Sequence, residues 1–211
     1  MHRRGFLRSA AGVSLATLFA VPAVNTQQLG TRTLDVEALL FDPDAPNGGN
    51  PKGDVTIVAF FDYNCGYCRK ASPALARLLR EDGNIRLVYK DWPILSEASV
   101  VAAQLALAAR YQDKYETAHR TLMELPGRSS TERMMTALAG AGLDRKRLSI
   151  DLKAHAGDIG GLLKRNNEQA LALELPGTPV YLIGPFKVAA ALDLQGFKDV
   201  VSDARQRAAD K

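Results

Sequence analysis

Cys65 and Cys68 are the only cysteines in a chain of 211 residues, and only Gly66 and Tyr67 separate them. A pair at this spacing can exchange a dithiol for a disulfide, hold a soft metal ion, or serve as a cross-link. A cross-link gains most when it closes a long loop. This one would enclose two residues and constrain almost nothing. A zinc site needs two further ligands. His2 lies at the extreme N-terminus, and His119 and His155 lack paired spacing. The three histidines read most simply as surface or capping residues. Exchange chemistry asks less: one sulfur that attacks and leaves as a thiolate, and a second that resolves the mixed disulfide.

The elements around the pair fit that demand. Val55-Thr56-Ile57-Val58-Ala59-Phe60-Phe61 is a nearly continuous apolar run, the pattern of a central strand covered on both faces. Residues 65–81 read as a helix with Ala71, Leu75, Leu78 and Leu79 on one face and a kink expected at Pro73. Ile85-Arg86-Leu87-Val88-Tyr89-Lys90 is a second strand, so the three elements form a right-handed βαβ unit with parallel strands. The cysteines therefore open a helix, where unpaired amides and the macrodipole favour an anion. Cys65, at the tip, is expected to be exposed and to act as nucleophile and leaving group. Cys68, one turn in, is expected to be more buried and to be the resolving thiol.

No strand signal appears between residues 96 and 172. Ser96 can cap a helix through Val100, Val101, Leu105 and Ala108. Tyr115, Ala118 and Leu122 mark another. Ser129 with Glu132 makes a capping box before Met134, Met135 and Leu138, which read as core. Leu148 and Leu152 begin a further helix, and residues 159–173 another. Val180-Tyr181-Leu182-Ile183 and residues 186–190 then read as strands, and residues 194–207 as a closing amphipathic helix with Leu194, Phe197, Val200 and Val201 inward. The fold class is α/β: βαβ, an all-helical insertion, then ββα. Residues 42–53, rich in Pro, Gly and Asn, read as irregular chain.

The N-terminus reads as targeting. Arg3-Arg4-Gly5-Phe6-Leu7-Arg8 is a basic start with a twin-arginine pair, an apolar run spans residues 10–21, and Val21-Pro22-Ala23 offers small residues for cleavage. The run is short of the roughly 20 residues that span a bilayer. The pair favours twin-arginine export over general secretion, with an uncleaved amphipathic anchor as the alternative to a cleaved signal, and a twin-arginine signal implies a bacterial periplasm or cell exterior. The formal charge of +4 falls to about +1 without Arg3, Arg4 and Arg8, so there is no electrostatic case for nucleic acid.

Several motifs together carry a resemblance. They are Phe60-Phe61-Asp62-Tyr63-Asn64-Cys65-Gly66-Tyr67-Cys68, Pro73, Trp92-Pro93-Ile94-Leu95 and Gly177-Thr178-Pro179. With them the chain resembles the DsbA family of thiol–disulfide oxidoreductases, closest to the ScsC-like branch with its DYNCGYC active site. The resemblance spans about residues 42–207. It implies a thioredoxin fold with an inserted all-helical domain: signal peptide 1–23, N-terminal segment and loop 24–53, thioredoxin-like parts 54–95 and 173–211, helical insertion 96–172. It implies that Cys65 and Cys68 form the redox-active disulfide. It also implies that Thr178–Pro179 is a cis peptide beside them, where a bound polypeptide pairs with the Thr178 backbone as an added strand. Substrates would be cysteine-containing exported polypeptides, with no metal or organic cofactor. A membrane partner, DsbB-like for an oxidase or DsbD-like for an isomerase, would reset the pair. The segment between signal and domain is short and modestly apolar, which favours a monomer or dimer, and an oxidase over an isomerase.

An alternative of another class is a copper-binding, metal-handling protein using both cysteines as soft ligands; a third is a non-catalytic export or folding module with a vestigial pair. Two positions depart from the family. Ala59 stands where relatives usually carry a buried glutamate, leaving its expected partner, Lys90, to move outward or find another acid. Ala190 stands where relatives often carry glycine before the last helix.

Overall fold

The computed structural model describes residues 34–125 and 129–210; the targeting reading of residues 1–23 lies outside them. Every residue of β2 (Val55–Phe61) except Thr56 is buried, and every residue of β3 (Ile85–Asp91) except Arg86. These two apolar strands pair in parallel, Val55 opposite Ile85 through Phe61 opposite Asp91. β4 (Val180–Ile183) lies antiparallel on the other side of β2, and β5 (Phe186–Val188) antiparallel to β4. Beyond β3 lies β1 (Asn47–Gly49), antiparallel, giving the order β1-β3-β2-β4-β5.

β1 corrects the reading of residues 42–53 as irregular chain. Asn-Gly-Gly carries no strand pattern. Its place is set by close approach: Gly49 has φ +67°, and a Cβ there would collide with the Ile85 carbonyl.

The apolar strands need cover on both faces. On one face lie α2 (Gly66–Asp82), α4 (Tyr115–Glu124) and α8 (Leu194–Ala209). Phe197 of α8 meets Tyr181 edge-on at 4.9 Å. Arg205 ties α8 to Asp82 of α2 and to Asp54 at the foot of β2. On the other face lie α1 (Val36–Phe41) and α7 (Ala156–Ala172), joined by Gln169 donating to the Ala38 carbonyl at 3.2 Å. Trp92 donates to Asn167 of α7 at 3.0 Å. α2 is continuous through Pro73.

Between β3 and α7 run α3 (Glu97–Ala108), a 3₁₀ turn (Ala109–Gln112), α4, α5 (Thr131–Gly140) and α6 (Arg145–Ala154). Ser96 caps α3 as its position predicts. α5 is capped by Ser130, which accepts from the Arg133 amide at 3.3 Å, and not by Ser129, whose hydroxyl is buried without a partner. Glu132 pairs instead with Arg145. Met134, Met135 and Leu138 are core. Among the described residues, no helix is long and apolar enough to cross a membrane.

Candidate active site

The site is built where β2 ends. Asp62, the first residue past the strand, is buried and anchors the turn with both carboxylate oxygens. One accepts from the Asn64 amide at 2.7 Å; the other accepts from the amides of Ile94 and Leu95 at 2.8 and 3.0 Å. Asn64 in turn donates to the hydroxyls of Ser96 and Ser99, at 2.9 and 3.0 Å. The loop before the cysteines is thus pinned to the loop after β3 and to the first turn of α3. The Cys65 amide donates to the Asp62 carbonyl at 3.1 Å, and Cys65 becomes the N-cap of α2.

The Cys65 side chain makes no capping bond. Its thiol donates to the Thr178 carbonyl at 3.2 Å. Thr178–Pro179 is a cis peptide. The structure thus brings Cys65, Cys68, Thr178 and Pro179 together at one end of the sheet, with both cysteines as free thiols. Cys65 is only 6% exposed, against the expectation of an open sulfur, and Cys68 2%. The cis-proline loop covers Cys65 from the side. Tyr67 between them is 69% exposed. Burial pushes the Cys68 thiol far above its ordinary pKa; the Asp62 main chain and the Thr178 hydroxyl favour the thiolate too weakly to offset it. That hydroxyl is itself buried and outside hydrogen-bond geometry with any neighbour. A cleft of about 300 Å³ opens beside Tyr67 and the cis-proline loop, lined by Tyr67, residues 176–180 and residues 189–191. Ala190, in its wall, is not left-handed, so its turn has no need of glycine.

Below the turn lies a polar cluster that the sequence does not announce. Tyr115 donates to the buried Asp91 carboxyl at 2.7 Å. Tyr63 faces the same carboxyl and meets His119 Nδ1 at 3.2 Å. His119 packs edge-on against Phe61 at 4.7 Å and against Tyr63 at 5.6 Å. This corrects the reading of His119 as a surface or capping residue. Burial drives its pKa down to about 3, so it is a neutral ring. Burial likewise drives Asp91 up to about 7. His155 does sit at a helix junction, between α6 and α7, stacked on Tyr111. Asp62 was within reach of sequence reasoning, since Asp just past a strand commonly closes such a turn. Asp91 was not, because nothing local marks an acid at a strand end as buried.

The pairing of Lys90 with position 59 is also corrected. Ala59 lies opposite Tyr89, and Lys90 lies opposite Phe60. Paired residues of parallel strands share a face, so Lys90 and Ala59 point to opposite sides of the sheet. Nor does Lys90 move outward. It is fully buried, and its ammonium has no hydrogen-bond partner. Burial lowers its pKa to about 8, against the favourable charge of Asp42. Asp42 is already held by Arg165 at 2.7 Å. Among the described residues, no cluster of three or more His, Cys, Asp or Glu could hold a metal ion. A larger cleft of about 500 Å³ opens between α2 and α4, lined by Leu79, His119 and Met123 among others; neither cysteine touches it.

Comparisons with known proteins agree with this geometry. A thioredoxin family model matches residues 43–203. A thioredoxin-like oxidoreductase from Silicibacter pomeroyi is 39% identical, covering 82% of this chain and 98% of its own, with TM-score 0.77. The thiol-disulfide exchange protein alpha-DsbA2 from Wolbachia pipientis is 29% identical over 79% of this chain and 90% of its own, TM-score 0.75. A periplasmic thioredoxin-like protein from Salmonella enterica serovar Typhimurium is 26% identical over 80% and 94%, TM-score 0.69. Among curated sequences, the Na(+)/H(+) antiporter NhaA 1 of Salinispora arenicola is 28% identical over 77% of this chain, but the chain spans only 25% of that protein. A quarter-length match brings no transport activity with it. The chain belongs to the thioredoxin family, among its DsbA-like thiol–disulfide oxidoreductases.

Proposed function

We propose that this protein oxidises dithiols in exported polypeptides, with Cys65 as the exchanging sulfur and Cys68 as the resolving one. In the oxidised protein, a substrate thiolate attacks Cys65 Sγ. The Cys65–Cys68 bond breaks and its electron pair passes to the Cys68 sulfur. A second substrate thiolate then attacks the substrate sulfur of the mixed disulfide, and Cys65 leaves as a thiolate on the helix tip. Two substrate thiols become a disulfide, and the protein ends as the dithiol.

One observation carries the division of labour between the two sulfurs: burial strongly favours the protonated form of Cys68, which suits it to resolve and leaves exchange to Cys65; the preference for oxidation rests on the short, modestly apolar segment before the domain. Once released, Cys68 takes up a proton and is slow to attack the mixed disulfide back. The second substrate thiol then has time to displace Cys65. A bound polypeptide would lie along the cleft at Tyr67 and Thr178 as an added strand. The exposed side chains of Tyr67, Ile94 and Leu95 offer it apolar contacts.

The basic, then apolar N-terminus supports export to a bacterial periplasm, as does the likeness to the Salmonella protein described as periplasmic. A DsbB-like membrane protein would re-oxidise the pair, and the protein would work as a monomer or dimer. Two measurements on one sample test this: oxidation of a reduced test protein, and the reduction potential against glutathione. A stoichiometric oxidant with a potential above about −200 mV fits. A potential near −270 mV, as for a reductant, with no oxidation of the test protein, overturns it.

A further inference from the structure

Asp91 closes β3 in register with Phe61, at the level where β2 gives way to the active-site turn. It is fully buried, and its Oδ1 has no partner. Tyr115 of α4 donates to Oδ2 at 2.7 Å. The Tyr63 hydroxyl lies 3.2 Å from His119 Nδ1 and close enough to this carboxyl to favour its ionised form. Tyr63 is two residues before Cys65, between the Asp62 that anchors the turn and the Asn64 that ties it to α3.

A phenol has one proton to give. When Asp91 is ionised, Tyr63 gives its proton to the carboxylate, and the neutral His119 ring can bond the Tyr63 oxygen only by donating from Nδ1, in the opposite sense. When Asp91 is protonated, its own O–H can donate to the Tyr63 oxygen. Tyr63 then donates to His119, and one directional chain satisfies all three groups. The two charge states thus hold Tyr63 differently. We propose that Asp91 is a positioning residue of the exchange site, setting through the Tyr63 hydroxyl how the turn presents Cys65 in its protonated and ionised forms. This rests on the reading of Cys65 as the exchanging sulfur.

Every packed element contributes to the surroundings of Asp91. Tyr63 comes from the turn, Tyr115 and His119 from α4, and Tyr89 from β3. Arg110 of the 3₁₀ turn supplies a distant favourable charge, and Asn166 of α7 donates to the Asp91 carbonyl at 3.0 Å. Burial is the largest influence and brings the carboxyl up to about 7, into the neutral range. His119 borders the α2–α4 cleft, so the chain reaches a solvent-lined wall.

The test is the pH profile of Cys65 alkylation by iodoacetamide, located by mass spectrometry, in the reduced full-length protein between pH 5 and 9. In the wild type an inflection near pH 7 is expected beside that of the thiol. In Asp91→Asn it should vanish, so that the ratio of wild-type to variant rate changes about threefold or more across that titration. Tyr63→Phe should lose it as well. A variant profile that superimposes on the wild type overturns the proposal. If Asp91→Asn does not fold, Tyr115→Phe decides. It keeps the acid and removes a bond that lowers its pKa, so the inflection should move to higher pH; an unmoved one overturns the proposal. Failure of the parent reading looks different: a wild-type protein that does not oxidise a dithiol removes both, whereas full exchange activity with an unchanged Asp91→Asn profile removes only this one.

Discussion

The Cys65 thiol donates to the carbonyl oxygen of Thr178 across 3.2 Å, joining residues 113 positions apart in sequence. The helix tip and the cis-proline loop thereby meet at one sulfur. On the proposed function, a chain lying along that loop would be brought to Cys65 and kept from Cys68, which α2 carries inward.

That asymmetry predicts the behaviour of single cysteine variants. Cys68→Ser should still attack a disulfide peptide and accumulate a mixed disulfide visible by intact mass. Cys65→Ser should lose exchange, its remaining thiol reacting at least about a hundredfold more slowly at pH 7 because burial holds Cys68 protonated. Equal trapping by both variants would contradict the assignment.

Buried Asp62 should be costly to lose. Asp62→Ala removes the acceptors of the Asn64, Ile94 and Leu95 amides together. Destabilisation of about 2–4 kcal/mol is expected in urea unfolding, since amides are left unpaired beside a buried site. Asp62→Asn should recover part of it by keeping one carbonyl oxygen.

Lys90 makes a prediction with a defined sign. Its folded pKa is depressed to about 8 from 10.5. Between those values the unfolded chain binds the proton and the folded one does not, so this residue makes stability rise with pH from 8 to 10.5. Below pH 8 it is a standing cost. Lys90→Met should flatten that slope and raise stability at pH 7 by about 2 kcal/mol. A lower midpoint at pH 7 would show that the charge of Asp42 outweighs the burial.

Asp91 and His119 act in opposite directions on acid stability. The raised Asp91 makes the fold lose stability as pH rises from about 4 to 7; the depressed His119 makes it lose stability as pH falls from 6.5 to about 3. They offset one another in the wild type between pH 4 and 6.5. In Asp91→Asn only the histidine remains, so stability should climb steadily across that interval, as thermal unfolding at several pH values would reveal.

The register between β2 and β3 also bears on position 59. Ala59 is flanked by Tyr89 and Tyr181. Ala59→Glu would place a carboxyl there with Lys90 on the far side of the sheet. A loss of about 2–4 kcal/mol is expected, with no rescue by the lysine.

Much of this was legible in the residues. The apolar runs of β2 and β3 and the periodicity of α2 fix the βαβ unit, and the position of Cys65 at its junction follows. What escaped has physical reasons. β1 is held by close backbone approach, and no side-chain pattern marks it. The side of the sheet on which Lys90 lies depends on a register that a one-residue slip reverses. The exposure of Cys65 depends on a loop that arrives 113 residues later. The inward packing of half-buried His119 comes from tertiary contact with Phe61 and Tyr63, which helical spacing alone does not reveal.

The sheet ends on both sides in strands of three residues, β1 and β5. Neither rim is long enough to template a foreign extended chain. For a protein that would meet unfolded polypeptides as a matter of course, this matters. On the proposed function, backbone pairing with a client would then be steered to the Thr178 loop, where it would end in sulfur chemistry, and away from the flanks, where it would end in a tangle.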